Sequence, residues 1–278
     1  MEDDKIIQMK IFSGDPNKLI MCELTTSNVR AYRVSRNELQ EFGKREDAHN
    51  TGIYFLFGKD DYNNTTVYIG EGEDILVRLK QQLFLKDYWN VAIVIISNNN
   101  FLNKAHIKYL ENEFYSLAIE SARAVVTNKN TPTRSSVSEY DAATLNRFIN
   151  DTKLLVNTLG YKVFDLVDED TESKLPLFYI KAARGANGAG KIVTDGFAVL
   201  KGTSIATSVT NSYPSGSSKR RQYLIESGII NSDYVFVKDY VFNSPSSAAQ
   251  IVMGRSANGL TEWKTETGQV LKTIIEIL

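Results

Sequence analysis

The sequence predicts an α/β chain of the α+β type. A small antiparallel sheet flanked by helices sits between a β-rich N-terminal segment and a separate C-terminal α+β module. Three observations carry this reading. First, Gly52-Ile53-Tyr54-Phe55-Leu56-Phe57 and Thr66-Val67-Tyr68-Ile69-Gly70 are rich in aromatic and β-branched residues and flank the polar Asp60-Asp61-Tyr62-Asn63-Asn64, a hairpin pattern. Second, the hairpin is followed by a helical spacing of leucines, a continuous apolar run and a second helical spacing, giving the order β-β-α-β-α. Third, 278 residues with 42% hydrophobic side chains are enough for two cores.

Taken in order, residues 1–48 read as β-rich, with strands at Ile6–Phe12, Leu19–Leu24 and Val29–Val34, a turn at Gly14-Asp15-Pro16-Asn17, and a short helix from Asn37 to Arg45 behind Ser35. This segment either packs against the hairpin module or forms a small docking platform. Residues 49–132 form the central module. Asp74 is placed to cap a helix carrying Leu76, Leu79 and Leu83, after a strand that stops at Gly70, where Gly72 frees the chain to turn. Trp89 to Ile96 suits a central strand buried on both faces. Asn103 caps the next helix, in which Ile107, Leu110, Phe114 and Leu117 share a face.

Residues 133–175 read as a linker and a connecting helix. Ser138 starts that helix, Leu145, Phe148, Ile149, Leu155 and Leu159 face inward, and Gly160 ends it. A strand over Val163–Val167 and an acidic loop, Asp168-Glu169-Asp170-Thr171-Glu172, follow. Residues 176–278 form the C-terminal module. Leu177–Ala182 and Ile192–Leu200 read as strands with a Gly/Ala turn between them. Ser212–Lys219 reads as a polar loop and Tyr234–Phe242 as extended. Ser244-Pro245 opens a helix that ends at Gly254, and Asn258-Gly259 reads as a tight turn.

Composition narrows the function. Lys and Arg number 32 against 33 Asp and Glu, which argues against nonspecific coating of nucleic acid while leaving room for a local basic groove. The single cysteine, Cys22, excludes an intramolecular disulfide and a cysteine zinc site. An acidic start without a basic and apolar leader, and no apolar stretch near ~20 residues, predict a cytoplasmic protein that does not engage a membrane.

Gly52-Ile53-Tyr54, Tyr68-Ile69-Gly70, Arg78 on the following helix and Glu111 in Lys108-Tyr109-Leu110-Glu111, with Asn128 or Asn130 closing the module, resemble the GIY-YIG nuclease family over roughly residues 50–132. The resemblance implies a metal-dependent endonuclease that hydrolyses phosphodiester bonds in DNA, or in RNA. Glu111 would bind one Mg2+ (or Mn2+), and Arg78 would neutralise the scissile phosphate with its forked guanidinium. Tyr54 would act as general base or position the water, and Tyr68 would hold phosphate or water. Gly70, Lys80, Gln82, Lys104 and Asn128 would contact substrate or orient the site. Members often carry a histidine where Gln82 stands; glutamine hydrogen-bonds but does not exchange protons near neutral pH. The C-terminal residues Gly196-Phe197, Ser244 to Ala249, Gly254-Arg255, Asn258-Gly259 and Trp263-Lys264 resemble a domain of unknown function that often follows such modules.

The same residues allow plainer readings. Tyr54 and Tyr68 also suit half-buried strand positions. Arg78 can pair with Asp74 one turn back, and Glu111 with Lys108. His106 reads as a packed helix histidine. Gly185 to Lys191 has the spacing of a phosphate-binding loop, but Ile192 replaces the required Ser/Thr and a strand follows in place of a helix, so it reads as a hairpin turn. Lys80, Lys86, Lys104 and Lys108 form one basic group; Lys219, Arg220, Arg221, Arg255 and Lys264, with Trp263 for stacking, form another. A non-catalytic nucleic-acid-binding or protein-interaction module that keeps the fold is the alternative function.

Overall fold

Strands form where aromatic and β-branched runs find a hydrogen-bonded neighbour, and the hairpin at Gly52 finds two. The computed structural model describes residues 4–60, 64–166, 176–194 and 196–277. The chain divides into two units, Met1–Asp165 and Leu166–Leu278. The first unit runs β1 (Ile7–Ile11), β2 (Leu19–Leu24), β3 (Val29–Ser35), α1 (Leu39–Phe42), β4 (Gly52–Lys59), β5 (Thr65–Gly72), α2 (Ile75–Leu85), β6 (Trp89–Ser97), α3 (Lys104–Ser121), β7 (Val125–Val126) and α4 (Glu139–Thr158). Among the described residues these strands make one sheet in the order β1-β2-β3-β6-β4-β5-β7, antiparallel except for β5–β7.

The β-rich start therefore joins the sheet of the central module directly. β3 pairs with β6 from Val29↔Ser97 to Ser35↔Val91. Strand alternation then divides the interior in two. Ile53, Phe55 and Phe57 of β4 join Ile107, Leu110 and Phe114 of α3 and Leu145, Phe148 and Leu155 of α4. Tyr54 and Leu56 face the other way, towards Leu39 and Phe42 of α1 and Ile75, Leu76 and Leu79 of α2. β6 lies fourth of the seven strands and is buried on both faces, as its continuous apolar run requires.

Three of the expected caps form; the one at Ser35 does not, because its hydroxyl is bonded to the Asn17 and Lys18 carbonyls, and only Leu39–Phe42 of the helix expected over 37–45 is α-helical. Asp74 accepts from the Val77 N–H, Asn103 from Ala105 and His106, and Ser138 from Asp141. Gly160 takes φ +96° just past α4. Two more expectations are corrected here. Val163 and Phe164 are buried without forming a strand, and the Ser121 hydroxyl and Arg123 Nε tie that segment down through Val163 O and Asp165 O. Gly72 is the last residue of β5 rather than a free turn, and its role is steric. Val167, the acidic loop at 168–172 and Asp61, Tyr62 and Asn63 of the hairpin loop lie outside the described residues.

The second unit runs β8 (Phe178–Lys181), β9 (Asn187–Val193), β10 (Gly196–Val199), α5 (Ser215–Glu226), β11 (Tyr240–Phe242), α6 (Pro245–Met253), α7 (Gly259–Glu262) and α8 (Leu271–Ile277). Its described strands form an antiparallel sheet, β11-β10-β9-β8. Ser244 accepts from the Ser247 N–H and Gly254 closes α6 at φ +61°. Several expectations change, among them the single strand over Ile192–Leu200, which is the end of β9 followed by its antiparallel partner β10. The Gly/Ala stretch turns only at Ala182–Ala186; Asn187 to Lys191 is strand, because Gly188 and Gly190 admit the side chains of Thr203 and Phe197 where a Cβ would collide. Most of the expected loop at 212–219 is the start of α5. Asn258-Gly259 is a helix start, with Asn258 accepting from the Leu260 N–H. No described helix is long and apolar enough to cross a membrane.

Candidate functional site

Tyr54 on β4 and Gly70 on β5 are direct cross-strand partners. The Tyr54 ring lies over Gly70 so closely that a Cβ there would overlap Cζ and the hydroxyl oxygen. One strand turn along, Tyr68 points to the same face, with ring centroids 6.2 Å apart. Tyr54 is wholly buried. Burial, and then the neighbouring Tyr68, push its hydroxyl well above the ordinary tyrosine pKa, against the opposing pull of Arg78. Tyr68 is raised as well, first by burial and then by Glu111.

Arg78 rises from α2 across Gly72, where a Cβ would collide with its Cγ. It is not paired with Asp74, whose carboxylate caps the helix and meets His49 Nδ1 at 2.7 Å. Instead Arg78 Nε donates to Glu71 O at 3.2 Å and Nη1 to Gln81 Oε1 at 3.1 Å. Those bonds aim the guanidinium and leave it without a carboxylate salt bridge among the described residues. One turn on, Gln82 is 3% exposed. Its Nε2 donates to the Tyr54 hydroxyl at 3.1 Å, and its Oε1 is buried without a partner.

Glu111 reaches this group from α3. It is half-buried, and its carboxylate makes no hydrogen bond or ion pair among the described residues; Lys108 acts on it only through space. Burial first, and then the nearby Glu71, push its pKa from 4.5 up to about 7, with Arg78 and Lys108 pulling the other way. Glu71 is a neighbour that sequence reasoning missed, although it directly follows Gly70. Among the described residues no three His, Cys, Asp or Glu side chains gather as a cage. Mg2+ keeps most of its water and binds proteins through one or two carboxylates. Glu111, with Glu71 beside it, fits that pattern and fits Mn2+ equally.

The other expected residues divide. Asn128 is committed to the sheet: its Oδ1 accepts from the Ile69 N–H at 3.0 Å and its Nδ2 donates to Ile69 O at 2.8 Å. It extends the short β7 and fixes the backbone between Tyr68 and Gly70. Lys80 is exposed on α2, whereas Lys104 is bound to Glu73 at 2.8 Å. His106 is buried against Phe101, 4.8 Å between ring centroids. In the second unit Trp263 is wholly buried, donating from Nε1 to Pro245 O, so it offers no stacking surface. Arg221 is buried too, bonded to Ile251 O and Ala206 O, and Arg255 pairs with Glu262. A separate cleft of about 810 Å3 is lined by Phe12, Lys18, Arg30, Lys44, Arg45 and Asp47 among others. Most of its charges answer each other: Arg30 meets Glu23 and Asp47, Arg45 meets Asp47, and Lys44 meets Glu41.

Residues 178–275 match the family described as Domain of unknown function (DUF4357), which agrees with the resemblance seen in the C-terminal sequence. No match to a nuclease family accompanies it. No curated protein and no solved structure matches the chain.

Proposed function

We propose that this chain is a divalent-metal-dependent endonuclease of the GIY-YIG type that hydrolyses phosphodiester bonds in DNA, with the C-terminal unit recognising substrate or a partner. The observation that carries the reading is the convergence of Arg78 and an unpaired, half-buried Glu111 on the Tyr54–Tyr68 pair. A carboxylate with a raised pKa and no protein counterion is suited to a cation, and an arginine with free donors beside it is suited to a phosphate.

Each residue then has a task. Glu111 would hold Mg2+ or Mn2+, which supplies Lewis-acid stabilisation of the phosphoryl oxygen when bound. Arg78, braced by Glu71 O and Gln81, would offset charge on the scissile phosphate as it builds. Tyr54 stays protonated near neutral pH, so its environment favours positioning the water over removing its proton. Gln82 donates to the Tyr54 hydroxyl, which in turn hydrogen-bonds Tyr68, so the three side chains form one chain beside the site. Tyr68, less buried, would bond phosphate or water directly.

Supercoiled plasmid incubated with Mg2+ or Mn2+ tests this, with labelled RNA in parallel. The intact chain should nick the plasmid, and Glu111→Ala and Arg78→Ala should each lose about a hundredfold or more in rate. No cleavage by the intact chain, or equal cleavage by all three, would overturn the assignment. Retained binding without cleavage would leave the non-catalytic alternative.

A further inference from the structure

The helix that presents Arg78 ends in an exposed apolar tip. Phe84 is 90% exposed and Leu85 73%, the two most exposed large hydrophobic side chains of α2. On a helix, Leu85 stands two turns beyond Arg78 on the same flank, and Phe84 two turns beyond Val77, itself 46% exposed. Side chains of this kind at a fraying end would carry little meaning. This end is clamped: Arg36 donates from Nη2 to Leu83 O at 2.9 Å and from Nη1 to Lys86 O at 2.9 Å, and lies 4.6 Å over the Trp89 ring. The backbone on both sides of Phe84 and Leu85 is held rigid while their side chains stay in water.

The charge around the tip has one dominant sign. α2 carries Arg78 and Lys80 and no acidic residue. Lys86 follows, 4.0 Å over the Tyr68 ring, with Lys129 close enough to act on it; Asp87 is the nearest carboxylate in sequence. An aromatic ring and a branched aliphatic side chain set among cations suit a polyanion with flat apolar faces, which describes nucleic-acid bases on their phosphate backbone.

We propose that Phe84 stacks on, and Leu85 wedges between, the bases flanking the scissile phosphate, making the end of α2 a substrate-gripping element. This rests on the nuclease reading and deepens it: the substrate at the cut would be unstacked or single-stranded. The phosphate contacts of Arg78 and Lys80 and the apolar contacts of Phe84 and Leu85 would then belong to one helix.

The test uses the full chain and a mixed-sequence oligonucleotide, single-stranded and duplex, carrying a fluorescent adenine analogue. Affinity is measured across a salt series for the unaltered chain, the double variant Phe84→Ser/Leu85→Ser, Phe84→Trp and Lys80→Ala. The double variant should bind about tenfold more weakly with its salt slope unchanged, and should lose the change in analogue fluorescence. Phe84→Trp should retain both. Lys80→Ala should instead reduce the salt slope by about one. An unchanged denaturation midpoint shows that the exposed substitutions leave the fold intact. If the unaltered chain binds and nicks while the double variant matches it in affinity and fluorescence, the inference falls and the nuclease reading stands. If the unaltered chain binds neither form, both fall.

Discussion

Tyr54 and Gly70 explain why two tripeptides far apart in sequence belong together: the ring of one needs the missing side chain of the other. Gly70→Ala should therefore cost about 1–3 kcal/mol through overpacking. It would appear as a lower urea midpoint at unchanged m-value, and nicking should fall even in the folded fraction because Tyr54 is displaced. Glu111 gives a prediction with a definite sign. Its pKa is raised from 4.5 to about 7, so between those values the folded protein holds a proton that the unfolded chain has released. Stability attributable to this group is present below about 4.5 and is lost as pH rises towards 7. Glu111→Gln removes that slope. Denaturation at a series of pH values should find the variant gaining on the unaltered protein as pH rises, with the gain levelling off above about 7. Proton and cation compete for the same carboxylate, so metal-dependent nicking should rise through this range, and added Mg2+ should move the midpoint downward.

At the scale of elements, the site depends on two devices that reach across the sequence. Arg36 clamps the C-terminal end of α2, the helix that carries Arg78 and Gln82. Hydrogen bonds to a charged donor contribute about 1.5–3 kcal/mol each, so Arg36→Ala should lower unfolding stability by about 2 kcal/mol or more and slow nicking by loosening Arg78. Asn128 does the same for β5. Asn128→Ala should speed hydrogen exchange at the Ile69 amide well above that of Val67, which lies opposite Val126 of β7. These devices mark the limit of what the sequence discloses. The hairpin, the continuous apolar run of β6, and the caps at Asp74, Asn103, Ser138 and Ser244 were legible because each is a local contact between a side chain and nearby backbone or a simple local pattern. Arg36 and Glu71 were not, because their partners lie on other elements; Asn128 was reached only through the family resemblance, and its partner, the Ile69 backbone, only through the structure. The glycines of β9 looked like a turn for the same reason: what demands them is Thr203 and Phe197. The Ser/Gly start of α5 has low helix propensity, and the element persists through buried Arg221 and Leu224.

At the scale of the whole chain, the working unit is larger than the stretch that carries the motifs. β6 pairs with β4 on one side and β3 on the other, and its residues alternate between both cores. Removing residues 1–48 would expose that edge, and removing α4 would uncover the face on which Leu145, Phe148 and Leu155 sit. An apolar strand edge without a neighbour invites aggregation, and cores this truncated do not offset chain entropy. A fragment of residues 49–132 should therefore aggregate or fail to unfold cooperatively, whereas Met1–Asp165 should give a single cooperative transition in urea. The same fragment separates the roles of the two units. Tyr54, Tyr68, Arg78, Gln82 and Glu111 all lie within it, so it should keep the proposed nicking activity, with any loss appearing as weaker substrate binding rather than a slower cut at saturation. A cooperative 49–132 fragment would refute the argument from the sheet. Where the intact chain nicks, a folded but inactive Met1–Asp165 fragment at saturating DNA would mean that Leu166–Leu278 supplies part of the chemistry itself.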